Sequence, residues 1–167
     1  EYNNEIITAV VIDPLRDEIY FAEKGKGSFL NDRRIRVSKR NTLSSCVFSI
    51  YNDIDLNSNL NDKKYYKIIK DLVFENSLVT REFGSSALSF AWLASGKIDC
   101  FLSNNLKINE VACGELFIKE AGGYISNFKS VSPYQAPGEG LIAANPVIHR
   151  EILKKYKLLN NKSKTNP

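Results

Sequence analysis

The sequence predicts a mixed α+β fold built in layers. Two observations carry this. Short runs rich in β-branched and aromatic residues, separated by turn signals, fill the first third of the chain. Further along, such runs alternate with segments whose apolar residues recur at helical spacing. Of the 167 residues, 43% are hydrophobic, enough for one sizeable core.

Each element has a local reason. EIITAVVID (5–13) reads as a strand, and Asp13-Pro14 turns the chain after it. IYFAEKGKGSFLNDRRIRVS (19–38) gives three short strands, with Gly25 and Gly27 at one turn and Asn31-Asp32 at the next. This is an antiparallel meander. No helix follows Gly25 and Gly27, so they are turn glycines and not a phosphate loop. CVFSIY (46–51) is a strand, and the Asn/Asp/Ser-rich NDIDLNSNLND (52–62) is a surface loop. KKYYKIIKDLVF (63–74) places Tyr65, Ile68, Ile69, Leu72 and Val73 on one helical face.

LVTREF (78–83) is a strand that leads into GSSALSFAWLASG (84–96), where Ser85 or Ser86 caps a helix and Gly96 ends it. IDCFLS (98–103) is another strand. LKINEVACGELFIKEAGG (106–123) is a buried helix with Asn109 suited to the N-cap, Glu110 in its first turn and Gly122-Gly123 as its stop. YISNF (124–128) and LIAAN (141–145) are strands on either side of the loop KSVSPYQAPGEG. PVIHREILKKYKLL (146–159) is an amphipathic helix with Pro146 at its first position. Residues 1–158 are expected to form a single partial domain, and 159–167 a disordered tail.

The net charge is +4, but residues 150–167 alone carry +5, so the remaining chain is close to neutral. That reads as a solvated basic end, with no direct nucleic-acid site. Cys46, Cys100 and Cys113 are scattered and odd in number, which suits small core residues in a reducing compartment. No apolar run reaches the roughly 18 residues of a membrane span. The acidic start has no signal-peptide pattern, so the expected location is cytoplasmic. Methionine is absent, even at position 1, and the chain opens directly into strand-like sequence. The expectation is the later part of a longer protein.

Three stretches, DPLRDEIYFAEKGKGSFLNDRRIRVS, REFGSSALSFAWLASGKIDCFLS and NEVACGELFIKEAGG, together with LIAANP, resemble the inositol monophosphatase family in order and spacing. The resemblance is greatest to its bacterial extragenic-suppressor type and runs from about Ile6 to about Ile148. It implies the C-terminal portion of a layered αβαβα sugar-phosphatase fold, usually a homodimer. It also implies Mg²⁺-dependent hydrolysis of inositol monophosphate or a similar phosphorylated polyol or sugar, with two or three metal ions activating a water. Sugar bisphosphates and 3'-phosphonucleotides are the runner-up substrates.

The resemblance also assigns residues. Family metal ligands come from an early helical Glu, an Asp-Pro-x-Asp-Gly-Thr segment, and the Asp of a Trp-Asp pair before Glu-Ala-Gly-Gly. The first two are not in this chain. DPLRDE lacks Gly-Thr, so Asp13 and Asp17 read as turn residues. Asn109-Glu110 stands where the family has Trp-Asp, which makes Glu110 the metal-ligand candidate. For this chain alone it reads rather as a first-turn acid that gains about 0.3–1 kcal/mol from the helix dipole, the ligand role belonging to the full-length protein.

Ser86 matches a position lining the substrate ring, and Ser85 begins the helix beside it. Ser103 stands where inositol phosphatases usually carry an acid, and Asn105 replaces a loop glycine. Arg81 matches a recurrent family arginine, for the pocket, the dimer interface or an exposed strand position. His149 reads as a surface residue. One carboxylate does not make a Mg²⁺ site, so the chain alone is expected to be inactive. The alternative is a non-catalytic member or gene-decay fragment with a binding role.

Overall fold

The computed structural model describes residues 5–51, 60–103, 106–132 and 140–165, with the side chains of 60–66 and 162–165 outside that description. Strands β1 (Thr8–Asp13), β2 (Glu18–Glu23), β3 (Gly27–Leu30) and β4 (Arg33–Ile35) form the expected antiparallel meander, in the order β1-β2-β3-β4. Asn31 and Asp32 take positive φ of 43° and 62°, which a tight hairpin between twisted strands demands. The Asn31 side chain holds the preceding turn as well, accepting from Ile19 N and donating to Asp17 O.

The second sheet has five strands in the order β6-β5-β7-β9-β8. Here β5 (Val47–Tyr51) lies parallel to β6 (Val79–Arg81) and to β7 (Cys100–Ser103). β9 (Leu141–Ala144) runs antiparallel to both β7 and β8 (Tyr124–Ser126). Among the described residues there are four α-helices, α1 (Leu60–Asn76), α2 (Ser86–Ala94), α3 (Ile108–Glu120) and α4 (Pro146–Thr165), and a short 3-10 turn at Leu43–Ser45. None is long and apolar enough to cross a membrane. Most of the loop expected at 52–62, the side chain of Tyr65 and most of the loop before Leu141 lie outside the described residues.

Strand alternation divides the core in two. Phe48, Ile50, Cys100, Leu102, Ile142 and Ala144 face α1 and α4, where they meet Ile69, Leu72, Val73, Ile148 and Ile152. Their chain neighbours Val47, Phe101, Leu141 and Ala143 face α2 and α3. The other side of that helix pair packs on Ala9, Tyr20 and Ala22 of the meander. The described residues therefore stack as meander, helix pair, five-stranded sheet and helix pair. These are four of the five layers expected of the αβαβα arrangement. The outer face of the meander, with Val10 and Ile12 about half exposed, is uncovered among them.

The EAGG stretch closes α3 by three separate devices. Gly122 has φ +80° and turns the chain out of the helix. A Cβ on Gly123 would lie 2.8 Å from Ile118 and 2.9 Å from Val37, so only glycine lets the chain pass there. The Glu120 carboxylate accepts from Gly25 N at 2.7 Å and Gly27 N at 2.9 Å. The two turn glycines of the meander are thus clamped by a residue more than ninety positions away.

Three expectations need correction. Helix α4 runs on to Thr165, through most of the segment assigned to a disordered tail. No glycine or proline interrupts it before Pro167, and its lysines and asparagines are tolerated on a solvated helix. His149 is buried at 6% exposure and not on the surface. Its Nε2 lies 2.9 Å from the Ser126 hydroxyl, and its ring stacks obliquely on Tyr124. Asn109 is not the cap of α3. Lys107 holds the N-cap position, because the Glu110 carboxylate accepts from Lys107 N at 3.0 Å and fixes the helix start there.

Burial lowers the His149 pKa from 6.5 to about 4. The folded protein favours the neutral ring, and the unfolded chain binds the extra proton between those values. Stability from this group is therefore full above pH 6.5 and lost as pH falls toward 4, on the order of 3 kcal/mol in all. Urea unfolding at pH 7.5 and pH 4.5 should show that loss, and His149→Gln should flatten it. Equal pH dependence in both proteins would contradict a buried neutral histidine.

Candidate active site

The parallel strands β5 and β7 end together, with Tyr51 and Ser103 in register at their C-terminal edge. Ligands of open α/β sheets gather at such edges. Ser103 is buried there and pairs with Leu141 on its other side. Asn105 lies outside the described residues.

The starts of α2 and α3 meet each other. Ser85 caps α2, its hydroxyl accepting from Leu88 N at 3.3 Å. Its carbonyl accepts from the Ser89 hydroxyl, which lies 3.1 Å from the Ser49 hydroxyl on β5. The cap is therefore tied to the sheet. With Ser85 as cap, Ser86 becomes the first helical residue, and its hydroxyl donates to Glu110 Oε1 at 3.0 Å. Glu110 Oε2 takes the Lys107 amide.

One carboxylate thus stitches two helix N-termini, where the partial positive charges of both helices favour an anion. Of the residues singled out in the sequence, Ser86 and Glu110 come into direct contact and Ser85 sets their geometry. Ser103 belongs to the strand edge. Arg81 is exposed at the end of β6, with its guanidinium turned back to Thr80 O. Asp17 is a turn residue, as expected, whereas Asp13 is the last residue of β1 and holds that turn with its side chain. Asp13 holds the Leu15 amide and pairs with Arg16 at 2.8 Å, which keeps its carboxyl below the usual range. Asp17 occupies the left-handed region at φ 52°.

The donor set does not fit a metal. Both Glu110 oxygens are engaged by hydrogen-bond donors, and the described residues contain no group of three or more His, Cys, Asp or Glu side chains placed to hold an ion. A hard divalent cation needs several convergent oxygens.

Two side chains that matter escaped sequence reasoning. Asp99 is fully buried at the start of β7, bound to Arg40 at 2.6 Å and to Val47 N at 2.7 Å. Glu120 clamps the glycine turn described above. An acid placed directly before an apolar strand was the available signal for Asp99. Nothing local points from Glu120 to Gly25.

The meander, the helix pair and the sheet edge with its hydroxyls and helix starts define a layered α+β protein of the sugar-phosphatase type. The chain belongs to the inositol monophosphatase family, whose model matches residues 1–160. It is 33% identical over 153 residues to the Nus factor SuhB of Xylella fastidiosa, covering 86% of this chain and 53% of that protein. It is 33% identical over 157 residues to the inositol-1-monophosphatase of Mesorhizobium japonicum, covering 94% and 58%. The crystal structure of the extragenic suppressor protein suhB from Bartonella henselae superposes with a TM-score of 0.85 at 32% identity, covering 94% and 58%. The chain thus spans little more than half the length of these relatives.

Proposed function

We propose that these residues supply the substrate side of a Mg²⁺-dependent phosphomonoesterase acting on a small phosphorylated polyol or sugar, and that by themselves they assemble no metal centre. In this reading the hydroxyls of Ser86 and Ser103 face the substrate, and Ser85 fixes the first turn that carries Ser86. Glu110 is a positioning residue that holds the two helix starts together. The observation that carries the reading is the double engagement of Glu110, by Ser86 on one oxygen and Lys107 N on the other. A carboxylate so committed must break hydrogen bonds worth roughly 1.5–3 kcal/mol each to coordinate an ion.

A second reading, a binding role without catalysis, draws support from the same commitment of Glu110 to the scaffold. The existence of a relative that carries the name of a Nus factor is consistent with it.

Calorimetric titration of MgCl₂ into the 167-residue chain tests the proposal. It predicts no saturable uptake, and Glu110→Ala should lower stability by about 1 kcal/mol through loss of the helix-start bonds. Saturable Mg²⁺ binding that Glu110→Gln removes would refute the assignment.

A further inference from the structure

The segment RRIRVSKR, residues 33–40, holds five cations and no acid. With it and the basic end from residue 150 set aside, the remaining residues carry −6, so the positive charge is concentrated in two stretches. The fold brings these stretches together. Arg36, Lys39 and Arg40 line a surface depression whose opposite wall is Asn145, Pro146 and Val147 at the start of α4. Asn145 Nδ2 donates to Ser38 O at 3.0 Å and to Arg40 O at 2.7 Å, which fastens the segment to that helix. One turn further on, Arg150, Lys154 and Lys157 follow at three- and four-residue spacing on the exposed side of α4, with Lys154 also paired to Glu151 at 3.0 Å.

The cationic stretch is held in shape before anything binds. Residues 33–35 form an edge strand, and Val37 N donates to Ala121 O. Ile35 and Val37 pack on the core, while the Arg34 guanidinium lies over Gly27 and Arg36 Nη1 donates to Ile35 O and Glu120 O, which holds both cations against the surface. All five basic residues are exposed. Among the described residues Arg33, Arg34, Arg36 and Lys39 have no carboxylate partner. Of the five, Arg40 is ion-paired, with the buried Asp99 at 2.6 Å.

We propose that this track, from Arg33 along the segment to Lys157 on α4, binds the sugar-phosphate backbone of a single-stranded nucleic acid. It gathers eight exposed cations from two adjoining elements, more than one small anion engages. Arginine forks suit phosphate oxygens. The one exposed aromatic ring beside the track is Tyr124, packed against His149, so base stacking is a small part of the contact and phosphate the main one. Binding is therefore indifferent to sequence and steeply salt-dependent.

Fluorescence anisotropy of the full chain with a labelled mixed-sequence single strand of about 20 nucleotides, at about 50 and 200 mM salt, tests this. Replacing Arg33, Arg34 and Arg36 together with Gln should weaken binding at least about tenfold and reduce the salt slope by about 2. Replacing Arg16, Lys67 and Lys70 together removes the same charge from the turn after β1 and from α1, neither of which lines the depression, and should leave affinity within about twofold. Arg150→Gln with Lys154→Gln should weaken binding as the arginine variant does. Absence of binding by the unaltered chain, equal losses in the track and control variants, or tighter binding of polyglutamate or anionic vesicles would each overturn the proposal.

Discussion

Arg40→Ala is expected to destabilise the fold by about 3–5 kcal/mol, more than Asp99→Asn at the other end of the same bond. The asymmetry follows from exposure. Arg40 is about half exposed, whereas the Asp99 side chain is fully buried. Removing the arginine leaves a buried carboxylate with the Val47 amide alone on one oxygen, and its Oδ1 has no hydrogen-bond partner. Removing the carboxylate charge instead frees a guanidinium that water can reach. The pair matters because Asp99 and Val47 exchange backbone and side-chain bonds at the shared start of β5 and β7, the strands whose far ends carry the site. Urea unfolding of both variants measures the difference. A smaller loss for Arg40→Ala than for Asp99→Asn would mean that the carboxylate is hydrated and not dependent on its partner.

Gly114→Ala should destabilise the protein although alanine is normally better than glycine inside a helix by about 1 kcal/mol. A Cβ at this position would lie 2.3 Å from Cδ2 of Phe90. Phe90 cannot easily yield, because it is 1% exposed and sits edge-on to Phe101 with ring centroids 4.9 Å apart. Overpacking of this kind costs about 1–3 kcal/mol, enough to reverse the propensity gain. Gly114 is where α2 and α3 approach, so the substitution also pushes apart the two helix starts that Ser86 and Glu110 join. In a double-mutant cycle, Phe90→Leu should recover part of the loss. If Gly114→Ala raises the melting temperature, the helices are not in close contact at this point.

Local rules made much of the fold legible. Residue alternation and paired turn residues gave the meander, because a hairpin is specified within a dozen positions. The Ser85 cap and the two glycines after α3 were legible for the same reason: each answers a backbone need in the adjacent turn. The start of α3 was misread by two residues, since capping preference points to Asn109 while the Glu110 carboxylate reaches back to Lys107 N. The burial of His149 was within reach, as it falls on the stripe with Ile148, Ile152 and Tyr156 that faces the core. A polar ring there invited the surface assignment.

What stayed hidden was non-local. The bonds from Glu120 to the glycine turn, and from Arg40 to Asp99, join positions that only the folded layers bring together. The site was partly legible in the same sense. Glu110 and Ser86 were each singled out, but their bond to one another changes the meaning of both. A carboxylate that the family resemblance offered as a metal-ligand candidate is here already satisfied by a serine and a backbone amide.

That claim is tested most directly by phosphate release from inositol monophosphate, measured for the 167-residue chain across a range of Mg²⁺ concentrations against a protein-free metal blank. The account predicts rates indistinguishable from the blank at every concentration. Magnesium-dependent turnover that Glu110→Gln abolishes would contradict it.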